Sequence, residues 1–242
     1  MGLFFKSREY RSVEKDVKSA NGNPAKISNA RNRIDKAKLS NSERAELYEK
    51  LAEAPRYRNQ RDNTKNPEST CNLTSMAMAF EGLGMDLGDS NKVQGEEKLY
   101  SDFYKRSRSR IDEGDRANFA RSKGLKTNHL VTPSFTDAKA AENWFRKHIL
   151  PRLELGSQAT MGLKSGSLRH VVRLQWVEKK GLRIDDPYGK AVGKKGVFTY
   201  QKTNPKTRDT NGDQAGEGDD SFLDWSTVAT VCKDRYVQLY DR

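Results

Sequence analysis

Apolar residues recur at helical spacing in one well-defined stretch of this chain. Leu73, Met76, Ala77, Phe80, Leu83 and Gly84 follow the i, i+3, i+4, i+7 rule, which predicts one buried helix face opening at Cys71. Gly84 and Gly88 mark its end. Upstream, Ser40-Asn41-Ser42-Glu43 is a capping-box start, and Ala45, Leu47, Tyr48, Leu51 and Ala52 carry that helix to Pro55. The first forty residues are polar with little periodicity and read as an arm or a poorly packed helix. Residues 59–70 contain Asn, Asp, Pro and Ser and read as a loop that delivers the chain to Cys71. Residues 91–122 read as partly helical. Thr136 starts a further helix through Ala138, Ala141, Trp144, Phe145, His148 and Ile149, stopped by Pro151.

Beyond Pro151 the period changes. Residues 158–164, 170–177, 182–186, 197–201 and 235–240 are short, rich in β-formers and separated by glycine turns. Helices first and strands afterwards predict an α+β fold with an N-terminal helical part packed on a C-terminal antiparallel sheet, not a repeating βαβ unit.

Alternation in the strands also places chemistry. His170, Val172, Leu174 and Trp176 share one face, and so do Leu182, Ile184 and Asp186, while Arg183 and Asp185 point the other way. Glu178-Lys179-Lys180-Gly181 is a hairpin signal between them. Pairing Trp176 with Leu182 and Leu174 with Ile184 sets Val172 opposite Asp186, with His170 diagonal to Asp186 at roughly 7–8 Å. A buried carboxylate needs a partner, and an imidazole beside it is a good one. Each element has a plainer structural reading: a core or edge histidine, a turn-starting Asp before Pro, a buried free cysteine. Their combination with a thiol in the first turn of a core helix, where the helix dipole favours thiolate, points to nucleophilic chemistry.

Composition adds limits. The chain has 242 residues, 34% hydrophobic and 32% charged, enough for one well-cored domain with an appendage and much solvated surface. No run of apolar residues is long enough for a membrane span. The formal net charge of +12 is unevenly placed: residues 1–65 carry +7, residues 102–126 carry +4, and residues 209–224 carry −6. A basic chain suits a polyanionic partner, so the N-terminal region is expected to contact an anionic polymer such as a cell-wall polymer. A merely soluble basic protein is the alternative. Nucleic-acid binding lacks a stacking-aromatic signature. Two cysteines allow at most one disulfide and suit a reducing compartment. Residues 1–7 lack the build of a signal peptide, and Lys6 breaks the myristoylation pattern.

The segments Gln60-Arg61-Asp62-Asn63, Cys71-Asn72-Leu73-Thr74-Ser75-Met76-Ala77-Met78, His170-Val171-Val172 and Asp186-Pro187-Tyr188-Gly189 together resemble the papain-like cysteine peptidases. The branch is that of double-glycine (bacteriocin-leader) peptidases, and the Cys-Asn-x-Thr-Ser version is similar to phage-borne cell-wall peptidase domains. Asn72-Leu73 stands where that branch has Gly-Pro, and the loop from Gln60 to Cys71 is long. The resemblance covers about residues 59–189. It divides the chain into a basic N-terminal arm and helix (1–58) and a papain-like catalytic domain (59–242).

The resemblance implies Cys71 as nucleophile, His170 as the base, Asp186 as the residue orienting the imidazole, and the Gln60 side chain with the Cys71 backbone N–H as oxyanion donors. No step requires a metal or cofactor. The expected substrate is a peptidoglycan stem peptide, with a protein or leader peptide as the alternative and an inert basic binding or virion-structural protein as a third reading. Expected partners are that substrate, an anionic polymer and an immunity or delivery protein. Delivery from the cytoplasm by phage, lysis or an injection system is expected.

Other candidates read as structural: His129, His148, and Cys232 as a small buried hydrophobe. Asp209, Asn211, Asp213, Glu217 and Asp220 have the spacing of a calcium loop, but Gln214 replaces its glycine and a solvated acidic loop is preferred.

Overall fold

The computed structural model describes residues 6–90, 93–106, 109–200 and 218–242. Capping and apolar spacing account for most of its helices. Ser7 accepts from the Tyr10 N–H to open α1 (Arg8–Ser19), and Asn23 accepts from Lys26 to open α2 (Pro24–Lys36), with Pro24 at its first position. Ser40 and Glu43 close a reciprocal capping box on α3 (Asn41–Leu51), as their spacing predicts. A single 3-10 turn (Gln60–Asp62) interrupts the loop that follows. Then come α4 (Cys71–Gly82), α5 (Gly95–Arg106), α6 (Glu113–Ser122), strand β1 (Lys126–Val131), α7 (Ala138–His148) and the short α8 (Leu150–Leu153).

The first segment departs from the expected arm. Val13, Ala20, Ile27, Ala30 and Ile34 are fully buried and join the same apolar cluster as the sheet. Their spacing is helical, but it lies in so polar a background that the two-turn stripe escapes a reading of composition. Pro151 also differs: it sits in the first turn of α8, a position that needs no N–H, so the chain turns there and coils again.

The sheet comprises β2 (Gln158–Ser165), β3 (Leu168–Val177), β4 (Gly181–Asp185), β5 (Ala191–Lys194), β6 (Val197–Tyr200), β7 (Ser221–Asp224) and β8 (Tyr236–Asp241), with α9 (Trp225–Val231) between the last two. Its order is β1-β8-β2-β3-β4-β7-β5-β6. The pairings are antiparallel except β5 with β7, which is parallel, so the expected all-antiparallel sheet is corrected at one edge. The molecule is a mixed α+β fold on one eight-stranded sheet.

The β3–β4 register is half as expected. Leu174 faces Ile184, but a bulge between Leu174 and Trp176 moves Trp176 opposite Arg183 and Val177 opposite Leu182. The bulge lies on the hairpin side, so the register toward His170 is unaffected. The polar row of these strands is not solvated: Arg173, Gln175 and Asp185 are all buried. Arg173 donates to Asp185 at 2.6 Å, to the Gln158 side-chain Oε1 at 2.8 Å and to the Ala52 backbone carbonyl at 2.7 Å. Covering both faces of the sheet requires this second row to be satisfied internally. A second apolar cluster, with Leu73, Met76, Phe80, Phe103, Phe119 and Tyr240, seats α4 against α5, α6 and β8.

Candidate active site

Cys71 is the first residue of α4, so its thiol stands at the helix end that favours a negative charge. The N-cap Thr70 makes no capping bond of its own. Instead Asn63 holds this end: its side-chain amide donates to the hydroxyls of Thr70 (2.9 Å) and Thr74 (3.2 Å). Farther along, Ser75 Oγ donates to the Val171 carbonyl at 3.0 Å, tying α4 to the strand residue next to His170. Helix and strand are thereby locked in a fixed relation at the point where Cys71 and His170 meet.

His170 is buried near the start of β3, where β3 runs on past the end of β4. Its Nε2 donates to Asp186 Oδ1 at 2.7 Å. That contact leaves Nδ1 as the ring nitrogen available to the thiol, and His170 and Cys71 are hydrogen-bonded through their side chains. Asp186 is fully buried and accepts three hydrogen bonds: from His170, from the Tyr188 N–H at 2.9 Å, and from Tyr200 Oη at 3.1 Å. Its backbone is fixed as firmly. The Asp186 N–H donates to the Gly218 carbonyl at 2.8 Å, and its own carbonyl accepts from Tyr57 Oη at 2.8 Å. A Cβ at Gly218 would stand 1.8 Å from that carbonyl oxygen, so no other residue fits.

Electrostatics follow from these contacts. Burial by itself pushes the Cys71 thiol up, but the hydrogen bond and positive charge of His170, with the Val171 backbone, outweigh it and the thiol lies below its ordinary value. Burial likewise opposes charging of His170, yet the Asp186 carboxylate and the neighbouring sulfur raise the imidazole to about 10. Both shifts favour the charged pair, thiolate beside imidazolium, over the neutral one. Burial and Asp186 raise the Tyr200 phenol, which stays protonated and donates.

The thiol opens on a cleft of about 640 Å³. Tyr188 and Tyr200, edge-on to the His170 ring at 6.4 and 6.3 Å, line it together with Arg110, Arg116 and Arg235. Gln60 also lines it. The Gln60 side-chain nitrogen gives one hydrogen to the Pro67 carbonyl (2.8 Å), and its backbone N–H donates to the Pro187 carbonyl (2.8 Å). One amide hydrogen remains for an acceptor in the cleft. The structure thus brings together Cys71, His170, Asp186 and Gln60.

Tyr57, Asn63 and Tyr200 complete the site and carried no sequence signal of their own. Asn63 lies in the quoted Gln60–Asn63 motif, but its hydroxyl partners depend on the path of the loop. Tyr200 reaches Asp186 only because β6 is carried to the sheet edge by the parallel β5–β7 pair.

The remaining candidates are structural. His129 lies on β1, 3.2 Å from Glu113 and stacked on Tyr236. His148 packs on Trp144. Cys232 is fully buried, free, and pushed up by burial. Most of the calcium-like loop lies outside the described residues. Asp185, Asp219 and Asp220 do bring carboxylates together, and burial with Asp185 pushes Asp219 up to about 7. Both Asp185 oxygens are already taken, by Arg173 and Gln175, so the cluster lacks a free ligand set.

Compared with protein-family models, curated proteins and solved structures, the chain matches none.

Proposed function

We propose that this chain is a cysteine peptidase or amidase of papain-like architecture. The single observation that carries the reading is the convergence of Cys71, His170 and Asp186 at an open cleft, with the thiol shifted toward thiolate by its own hydrogen-bonded imidazole. A purely structural cysteine is pushed the other way by burial, as Cys232 is.

In this reading the Cys71 sulfur attacks the amide carbonyl carbon. The oxyanion that forms accepts from the Cys71 backbone N–H and the remaining Gln60 amide hydrogen, donors of a kind worth about 3–4 kcal/mol each. The C–N bond then breaks, and His170 gives its proton to the departing amine. Water hydrolyses the thioester, its proton passing through His170. Asp186 holds Nε2 and so keeps Nδ1 toward the sulfur throughout.

Peptidoglycan stem peptides are the favoured substrate, on the Cys-Asn-x-Thr-Ser motif and the basic surface; a delivered enzyme and an immunity partner fit that setting. No helix among the described residues is long and apolar enough to cross a membrane. The test is digestion of purified sacculi by the wild type and Cys71→Ala, with mass analysis of released fragments. Release that requires Cys71 supports the wall substrate. Release from no sacculus type moves the assignment to a protein substrate, to be sought among cleaved host or leader peptides.

A further inference from the structure

We infer that the arginine wall of the Cys71 cleft is a subsite for a carboxylate carried by the substrate, with Arg116 as its centre. The inference rests on the peptidase reading of Cys71 and adds to it a requirement on what is cleaved.

Arg116 is only 3% exposed, yet no carboxylate forms an ion pair with it among the described residues. Of the five N–H groups of a guanidinium, it spends one on the Arg110 carbonyl (2.6 Å) and one on Tyr236 Oη (2.7 Å). Tyr236 also lies under its plane at 5.3 Å. Among the described residues the two other arginines less than 5% exposed each meet a carboxylate: Arg58 meets Glu81, Asp89 and Glu96, and Arg173 meets Asp185. Burying a charge without a counter-charge is costly, and a guanidinium facing a cleft is suited to two-pronged capture of a carboxylate.

Its position bears directly on the nucleophile. Asn72, the residue after Cys71, donates to the same Arg110 carbonyl at 2.7 Å. Arg116 and Asn72 therefore converge on one oxygen, and the guanidinium lines the same cleft as Cys71. The neighbours strengthen the positive field: Arg235 has a buried Nε with no acceptor, and Arg110, from the same lining, bonds the neutral Ser69 Oγ (2.9 Å) and Tyr104. Four arginines (Arg169 is the fourth) line the cleft against two glutamates, Glu113 and the exposed Glu68, so the lining is net positive. Substrates with a free carboxylate near the scissile amide are expected to be preferred over their amidated counterparts.

The test uses the rate ratio for alkylation of Cys71 by iodoacetate and by iodoacetamide, reagents that differ chiefly in a carboxylate. It is normalised to the same ratio for N-acetylcysteinamide and read by mass mapping. The expected ratio is at least about tenfold above the reference and survives 0.5 M salt, where long-range attraction is screened. N-acetylglutamate should protect against iodoacetate, and its diamide should not. Arg116→Gln should bring the ratio down to the reference, and Arg116→Lys should restore part of it. A wild-type ratio equal to the reference, or one lost entirely in salt, overturns the subsite while leaving the nucleophile standing. If Cys71 resists both reagents the peptidase reading fails instead. The subsite is then decided by whether N-acetylglutamate, against its diamide, raises the melting temperature of wild type but not of Arg116→Gln; no rise in wild type overturns it.

Discussion

Consecutive aspartates at the end of β4 leave the chain in opposite directions, and each is buried against a cation of β3. Asp185 meets Arg173, which is charged at every accessible pH and is further bound to Gln158 and the Ala52 carbonyl. Asp186 meets His170, whose charge can be gained and lost, and whose other nitrogen faces a thiol at a cleft. The two pairs share burial and hydrogen-bonded carboxylates. They differ in whether the cation titrates and whether solvent reaches its far side. One is a fixed strut between loop and sheet, the other a proton-handling pair, and strand parity alone assigns the two aspartates to these tasks.

The comparison can be broken in descending order of effect. Cys71→Ala and His170→Ala are each expected to reduce hydrolysis of whatever substrate is identified by on the order of 10⁶, with far-UV circular dichroism unchanged, because nucleophile and base act as one unit. Asp186→Asn should cost about 10⁴ in turnover through loss of imidazole orientation. Asp185 should behave otherwise. Arg173→Met leaves its carboxylate buried and unpaired, so denaturant unfolding should show a loss of about 3–5 kcal/mol. The Cys71 alkylation rate of the folded fraction should be preserved. An Arg173 variant that keeps stability but loses alkylation would erase the distinction.

Stability against pH sharpens the same contrast. His170 is raised above its unfolded value of 6.5 to about 10, so the fold favours its protonated form. Its contribution is fully present below pH 6.5 and is lost as pH rises through 10. Melting temperature should therefore fall between these values in Cys71→Ala, where no proton released from the lowered thiol offsets the loss, and adding His170→Gln to that variant should flatten the fall. The smallest effect belongs to Tyr200→Phe, which removes one bond to Asp186 and should cost about 1 kcal/mol, or at most about tenfold in turnover.

The site was more legible in the sequence than its surroundings. Period-two alternation and a hairpin signal were enough to bring His170 toward Asp186, because the register error introduced by the bulge lies on the far side of Leu174. The capping box of α3 and the start of α4 were equally local signals. What escaped was non-local. The stripe Val13, Val17, Ile27, Ile34 is buried only because other elements cover it, and β1, β5, β7 and α9 are short segments whose pairing partners lie elsewhere in the chain. Asn63, Tyr57 and Tyr200 share that cause: each meets the site through folding of a loop or edge strand that no spacing rule describes. Arg116 belongs with them, since a charge on a helix reads as solvated until its surroundings are known.

The central claim is that His170 turns a half-buried thiol into a nucleophile, and the most direct measurement is the pH profile of Cys71 alkylation by iodoacetamide in wild type and His170→Ala. The account predicts that wild-type Cys71 reacts at a full rate well below the ordinary thiol range, and that His170→Ala moves the profile upward, because burial then acts unopposed. Superimposable profiles, or a wild-type thiol that titrates as an ordinary cysteine, would contradict it.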